Sequence, residues 1–172
     1  MSKAIFLDRD GVINQERNDY VKNLSEFKIF SGVAEAISLL KKKNFLIVII
    51  TNQSAINRKL LNKKTLEKIH GSLRDYLKRN NTSIDAIYYC PHTPEENCSC
   101  RKPKPGLILK AAEDLKIDLK KSWMIGDSKK DIEAAHTAGC NHILLKNNQK
   151  LLDLIKEFIN SSTLTHTGIV EK

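Results

Sequence analysis

The sequence predicts a three-layer α/β protein: a parallel sheet of about five strands, helices on both faces, and no large cap domain. Three observations predict it. Short apolar runs alternate with amphipathic helical stretches. The runs are nearly continuous in apolar residues, as strands buried on both faces require. Polar signatures gather where the runs end, at Asp8, Thr51, Cys90 and Asp127, and in an open sheet the ligand sits beyond the carboxyl ends of the strands.

Each element has its own signal. Ala4 to Leu7 is a short apolar run that stops at Asp8 and reads as a buried strand. The polar stretch from Asn14 to Lys28 has no period and reads as a loop or flap. After Ser31-Gly32, the spacing of Val33, Ala36, Ile37 and Leu40 is that of an amphipathic helix. Phe45 to Ile50 is a β-branched strand that stops at Thr51-Asn52-Gln53. Leu66, Ile69, Leu73 and Leu77 mark a second helix, and Ile84 to Tyr89 a third strand that runs into Cys90. Pro105 opens a helix over Leu107 to Leu115. Trp123 to Ile125 is a fourth strand ending at Gly126-Asp127. A short helix over Ile132 to Ala138 stops at Gly139. His142 to Leu145 is a fifth strand, and Leu151 to Ile159 a last helix.

The 172 residues fit one domain, expected over 1–160, with a flexible Ser/Thr-rich tail over 161–172. Hydrophobic residues make up 41% and charged residues 28%, ordinary for a globular protein. The net charge of +9 suits nucleic acid, anionic lipid or anionic metabolites. The lysines, however, are scattered over expected helix ends and exposed faces. Aromatic residues are 6% of the chain and are not interleaved with basic ones, which argues against single-stranded nucleic acid. No apolar run is long enough to span a bilayer and no secretory signal is present. The expectation is a cytoplasmic monomer that binds neither membrane nor nucleic acid.

The chemistry lies in four segments. Asp8-Arg9-Asp10-Gly11 sets two carboxylates two residues apart just past a strand. If the chain stays extended they face the same side and repel, so a cation between them is called for. Mg²⁺ prefers such hard oxygen ligands and brings phosphate with it. One carboxylate then attacks phosphorus and the other protonates the leaving oxygen. Thr51-Asn52-Gln53-Ser54 offers a hydroxyl, amides and backbone N–H groups to a phosphate oxygen. Arg101-Lys102-Pro103-Lys104-Pro105 sets three cations beside two prolines that stiffen the segment, and a fixed cation neutralises a transferring phosphoryl group. Gly126-Asp127 opens a helix in which Asp131, four residues on, shares a face with Asp127.

A separate cluster has metal spacing. Cys90-Pro91-His92 is followed by Cys98-Ser99-Cys100. In a reducing compartment, three thiolates and an imidazole suggest Zn²⁺ rather than disulfides. All four tetrahedral positions are filled by protein, so the expected role is structural. Cys140 reads as a small buried hydrophobe, and Trp123 as a core residue. His70, His136, His142 and His166 have no partner spacing.

In this order along the chain, Asp8-Arg9-Asp10-Gly11, Thr51, Lys102 in Lys-Pro-x-Pro, and Gly126-Asp127-x-x-x-Asp131 resemble the haloacid dehalogenase superfamily of aspartate-nucleophile phosphatases. The resemblance implies a Rossmann-like fold with Asp8 as the nucleophile and Asp10 as the general acid, then base. Thr51 and Lys102 bind the transferring phosphate, with Lys104 as a rival to Lys102. Mg²⁺ is held by Asp8, Asp127 and the main-chain carbonyl of Asp10, with Asp131 behind a metal-bound water. The Tyr88-Tyr89-Cys90-Pro91-His92 and Cys98-x-Cys100-Arg101-Lys102-Pro103 segments are similar to those of the heptose bisphosphate phosphatase group. That similarity implies hydrolysis of the 7-phosphate of D-glycero-D-manno-heptose 1,7-bisphosphate. It also implies substrate contacts from Asp19 and Tyr20, from Thr51 to Ser54 (Asn52 and Gln53 included), and from Arg101 and Lys102. Two readings compete with it: a histidinol-phosphate phosphatase or other small phosphomonoesterase, and a zinc-stabilised basic module that binds nucleic acid.

Overall fold

Apolar runs with no polar side are stable as strands only when both faces are covered, and the sheet is built from such runs. The computed structural model describes residues 1–161. Its strands are β1 (Lys3–Leu7), β2 (Phe45–Asn52), β3 (Ala86–Cys90), β4 (Trp123–Gly126) and β5 (Asn141–Leu144). They form one parallel sheet in the order β3-β2-β1-β4-β5. Ile5 and Leu7 of β1 point into one core, and Ala4 and Phe6 into another, as the two-residue period of a strand requires.

Helices α1 (Val33–Lys42), α2 (Lys63–Arg79) and α5 (Leu151–Asn160) cover the first face. The other face is covered by α3 (Gly106–Leu115) and α4 (Lys129–Ala138). The result is the three-layer architecture that the sequence predicts, and no inserted cap domain occurs among the described residues. Trp123 belongs to the core, its ring edge-on to Phe158 at 5.3 Å between centroids. Cys140 is buried, and burial pushes its thiol up to about 12.

The element boundaries depart from the pattern for local reasons. Strand β3 starts at Ala86 rather than Ile84, because the Asp85 carboxylate accepts the Ile47 N–H at 2.7 Å and pairs with Lys41. Strand β2 runs two residues past Ile50, because Thr51 and Asn52 are in register with Tyr89 and Cys90. Helix α4 starts at Lys129 rather than Ile132. Its cap explains this: Ser128 donates both its N–H and its hydroxyl to Asp131 Oδ2, at 3.1 and 2.7 Å. At its other end Gly139 has the left-handed φ of 77° that closes the helix. The tail expected over 161–172 lies outside the described residues, Ser161 excepted, as does His166.

The loop over 14–28 contains no helix or strand, and apolar anchors hold it down. Ile13, Val21 and Phe27 are buried in the α1 core, and Asn14 bridges to both Asp10 and Ile29. A set of ion pairs among Arg17, Asp19, Lys22 and Glu26 ties its middle together.

Gly71 lies mid-helix in α2, where an added Cβ meets nothing within 4 Å. Gly71→Ala is expected to raise the unfolding free energy by about 0.5–1 kcal/mol. The check is the urea midpoint at unchanged slope; a lower midpoint would contradict the open space beside this helix.

Candidate active site

The chain order of the sheet reverses between β1 and β4, the switch point where open α/β sheets bind ligands. Asp8 follows β1 and Asp127 follows β4, and the Asp8 N–H bonds the Ile125 carbonyl at 3.0 Å. Carboxylate oxygens of Asp8, Asp127 and Asp131 all lie within 4.8 Å of one another. Two glycines permit this crowding. Gly11 has φ 84°, and a Cβ there would overlap the Asp127 carboxylate; a Cβ at Gly126 would overlap the Asp131 side chain.

Lys102 supplies the cation at the centre. Its ammonium lies 2.9 Å from Asp8 Oδ1 and 2.6 Å from Asp131 Oδ1, and donates to the Ile50 carbonyl at 2.8 Å. Its side chain is 3% exposed and that of Asp131 0%. Asn52 clamps its main chain from both sides: the Asn52 amide donates to the Lys102 carbonyl and accepts from the Lys102 N–H, both at 3.1 Å. The rival, Lys104, is turned away, its ammonium bound to the Asn97 carbonyl and side-chain oxygen.

The electrostatics follow from this crowding. Burial, with Asp131 and Asp10 adding repulsion against the pull of Lys102, raises the Asp8 carboxyl to about 7. Burial, Asp131 and Glu16 raise Asp127 to about 6. For Lys102, burial opposes the charge, but Asp8 and Asp131 outweigh it and hold the ammonium above its usual range. Three carboxylates around one ammonium leave an excess of negative charge on hard oxygen atoms, and this donor set fits Mg²⁺.

The Asp10 carboxylate stands outside that acidic trio. Arg9 Nη2 donates to both of its oxygens at 2.9 Å, Asn14 to Oδ1 at 2.8 Å, and Gln53 to Oδ2 at 2.9 Å. The metal role that the sequence assigns to Asp10 uses its main-chain carbonyl, a different atom. Gln53 also donates to Thr51 Oγ1 at 2.9 Å, so one amide sets both side chains. Arg9 is 1% exposed, stacked 5.6 Å from the Phe27 ring and 3.4 Å from His70 Nε2. Burial and the neighbouring Arg9 push His70 down to about 3, so its neutral ring accepts from Arg9.

Arg9, Asn14 and His70 escape sequence reasoning. One local signal existed: alternation along an extended chain turns Arg9 away from Asp8 and Asp10, towards the core. The Arg9–His70 pairing spans 61 positions and leaves no local pattern.

A cavity of about 410 Å³ opens above these groups, within the range of about 300–1,000 Å³ of small-molecule sites. Asp8, Asp10, Thr51 to Ser54, Arg101, Lys102 and Asp127 line it, and Asn18 and Tyr20 face it from the anchored loop. Ser128 lines it as well, and so do Glu16, Arg17 and Lys130, which the sequence does not single out. Asp19 does not line it. Its carboxylate, 61% exposed, is taken by Lys22 at 2.6 Å and Arg17 at 2.9 Å, and those hydrogen bonds hold it down at about 2. Asp19, assigned to the substrate from the sequence, is thus engaged by two cations of its own loop, whereas its neighbour Tyr20 is on the wall.

Beside the cavity, Cys90, His92, Cys98 and Cys100 form a second group of ligand-type atoms. Cys90 ends β3 opposite Asn52. The sulfur–sulfur separations are 3.2 to 3.5 Å, and His92 Nδ1 lies 3.4 and 3.3 Å from the sulfurs of Cys90 and Cys100. A tetrahedral zinc with its usual bonds gives edges of about 3.5–3.8 Å, so the set fits that ion with slight expansion. Arg101 follows directly, its Nη1 bound to the His92 carbonyl at 3.1 Å.

The chain matches the family model described as haloacid dehalogenase-like hydrolase over residues 3–139. It is 42% identical to a Pseudomonas putida protein named D-glycero-beta-D-manno-heptose-1,7-bisphosphate 7-phosphatase, over 84% of this chain and 82% of that one. A Helicobacter pylori protein of the same name is 44% identical over 86% and 85%. The crystal structure of the D,D-heptose 1,7-bisphosphate phosphatase from B. bronchiseptica, complexed with magnesium and phosphate, is similar at a TM-score of 0.86 and 32% identity, covering 93% of this chain and 99% of that one. With the motif residues gathered at the switch point and the family model covering the sheet from β1 to the end of α4, the chain belongs to the haloacid dehalogenase-like hydrolases.

Proposed function

We propose that this chain is a Mg²⁺-dependent phosphatase that removes the 7-phosphate of D-glycero-β-D-manno-heptose 1,7-bisphosphate through an aspartyl-phosphate on Asp8, within a single domain over 1–160. One observation carries the chemistry: the Lys102 ammonium buried between Asp8 and Asp131 on the floor of a polar cavity. The relatives' shared name supports the substrate, and the magnesium and phosphate in the B. bronchiseptica enzyme support the metal.

Asp8 Oδ1 is held by Lys102 and by the Arg9 N–H, while Oδ2 has no hydrogen bond among the described residues and is the attacking atom. As the bond from Oδ2 to phosphorus forms, the ester bond breaks and the leaving oxygen takes a proton from Asp10. Water then attacks phosphorus, the bond to Asp8 breaks, and Asp10 takes the water's proton. Since donors occupy both oxygens of Asp10, proton delivery requires exchanging one of them for the leaving oxygen. Gln53, on the cavity wall, is the donor placed for that exchange, and buried Arg9 stays. Lys102 and Thr51 neutralise and orient the phosphoryl oxygens. Held by Asp8, Asp127 and the Asp10 main-chain carbonyl, Mg²⁺ supplies further positive charge at that group. Zn²⁺ on Cys90, His92, Cys98 and Cys100 fastens the loop that carries Arg101 and Lys102.

The test is phosphate release from a panel of heptose bisphosphate, histidinol phosphate and triose phosphates, with and without Mg²⁺. Heptose bisphosphate is expected to be the best substrate; if it ranks last, the substrate assignment is wrong. Asp8→Asn is expected to cut kcat by about 10³-fold or more with the fold intact by circular dichroism.

The raised carboxyls of Asp8 and Asp127 set a pH dependence. A carboxyl raised on folding binds its proton more tightly in the folded state. Without metal, stability from these two groups therefore falls as pH rises from about 4 to about 7. Mg²⁺ binds the ionised forms, so its stabilising shift in Tm is expected to grow from about pH 5 to about pH 8. A shift independent of pH would contradict the acidic trio as the metal site.

Cys98→Ser is expected to lower zinc content, measured by elemental analysis, and to raise KM through a loosened Arg101. Wild-type protein without zinc after purification in zinc-supplemented medium would rule the metal out.

A further inference from the structure

The buried face of α2 consists of Leu66, Ile69, Leu73 and Leu77 with one polar residue among them, His70. A buried histidine is most often a satisfied core group, and the partner that satisfies this one is the arginine that holds Asp10. Burying an imidazole among leucines costs free energy that an aliphatic side chain would avoid. What His70 adds in return is an acceptor nitrogen at a fixed place.

The grip of Arg9 on Asp10 has a weak point there. Arg9 reaches both Asp10 oxygens through Nη2 alone, at 2.9 Å. A fork of two nitrogens fixes the plane of a guanidinium, whereas one shared nitrogen is a pivot. Arg9 Nε is buried and has no hydrogen-bond partner among the described residues. The Phe27 ring, 5.6 Å away, offers a face without a directional bond. The contact from Nη1 to His70 Nε2, at 3.4 Å, is therefore the second polar point that resists rotation about the first. The imidazole is itself held, within the body of α2 and tilted against the Tyr89 ring at 6.0 Å between centroids. Being neutral, it accepts from Arg9 without drawing it off Asp10, as a carboxylate in the same place would.

The pivot matters at one moment of the reaction. When Gln53 gives up Asp10 Oδ2 to the leaving oxygen, Arg9 and Asn14 are the side-chain donors that remain on that carboxyl. Resting on the acid–base role of Asp10 proposed above, we infer that His70 is a positioning residue that locks Arg9 and, through it, aims the Asp10 carboxyl at the leaving oxygen. The consequence is selective. An alkoxide needs a well-aimed proton in order to leave, whereas nitrophenolate departs without one.

The experiment measures kcat/KM, with Mg²⁺ present, for p-nitrophenyl phosphate and for the alkyl phosphate that the wild type hydrolyses best. This constant ends at the phosphoryl-enzyme, so the later role of Asp10 as base does not enter it. His70→Leu is expected to lower the alkyl value about tenfold and the nitrophenyl value less than about twofold. His70→Gln, whose amide ends where Nε2 does, is expected to keep the wild-type ratio; His70→Asn, polar but too short, is expected to lose it. That pair decides the question if the leucine variant fails to fold. Asp10→Asn, run in parallel, separates the two claims. An equal loss on both substrates in Asp10→Asn would sink the acid role and the positioning role with it. A selective loss in Asp10→Asn with none in His70→Leu would sink the positioning role alone. Equal losses on both substrates in His70→Leu, or the same ratio in His70→Gln and His70→Asn, would overturn it too and reduce His70 to packing.

Discussion

Taking an ammonium and two carboxylates out of water costs several kcal/mol per ion, and a close pair offsets that only when the remaining donors and acceptors are satisfied. For Lys102, Asp8 and Asp131 the surrounding structure supplies part of that satisfaction and leaves Asp8 Oδ2 to the cavity. The Lys102 ammonium forms ion pairs with Asp8 and Asp131 and donates to the Ile50 carbonyl. Asp131 Oδ2 takes two bonds from Ser128, and Oδ1 faces the Lys102 ammonium. Asn52 holds the lysine's main chain, and Gly126 leaves room for the aspartate. Residues that look like substrate ligands in the sequence are thus partly occupied in placing this cation. Asn52 is the clear case: its amide donates to and accepts from the Lys102 main chain, so it positions that residue as well as lining the cavity.

The two acids of Asp8-Arg9-Asp10 are reached by different side-chain cations. Lys102 arrives at Asp8 from the loop before α3, while Arg9, from between the acids, folds back on Asp10. The motif therefore separates two similar carboxylates into different surroundings within three residues. Asp8 is buried beside one ammonium and other acids, and keeps one oxygen free. Asp10 is wrapped by donors from Arg9, Asn14 and Gln53. Attack needs an unencumbered oxygen and proton transfer needs a group that trades hydrogen bonds, so this division matches the two roles proposed for them.

Much of this was legible because it is local. Strand ends show in the apolar runs, so Asp8, Thr51, Cys90 and Asp127 could be placed at one edge before any coordinates. Ligand spacing picks out Cys90, His92, Cys98 and Cys100, which do converge. What the sequence hides depends on partners far along the chain. His70 looks inert until Arg9 is packed against it across 61 positions. Lys104 stands as a rival to the preferred Lys102 until Asn97 captures it. Asp19 looks like a ligand beside Tyr20 until Arg17 and Lys22 claim it. In each case a charge has several candidate partners within reach of its segment, and only tertiary packing selects one.

The absence of an inserted cap among the described residues has a chemical consequence. Where a lid closes over a phosphorylated aspartate, water is admitted selectively; here the walls are an anchored loop and the Cys/His loop. The phosphoryl group proposed for Asp8 would therefore stay accessible to solvent, with water as its natural acceptor, which favours hydrolysis over transfer to a second metabolite. Without closure, selectivity also cannot come from an induced fit that assembles the site. It has to be written into fixed charges on the wall, and that explains why the rim is pinned by buried Val21 and Phe27 on one side and by the ligand cluster of Cys90 to Cys100 on the other. A rim that moved would lose the spacing between its charges and the floor of the cavity.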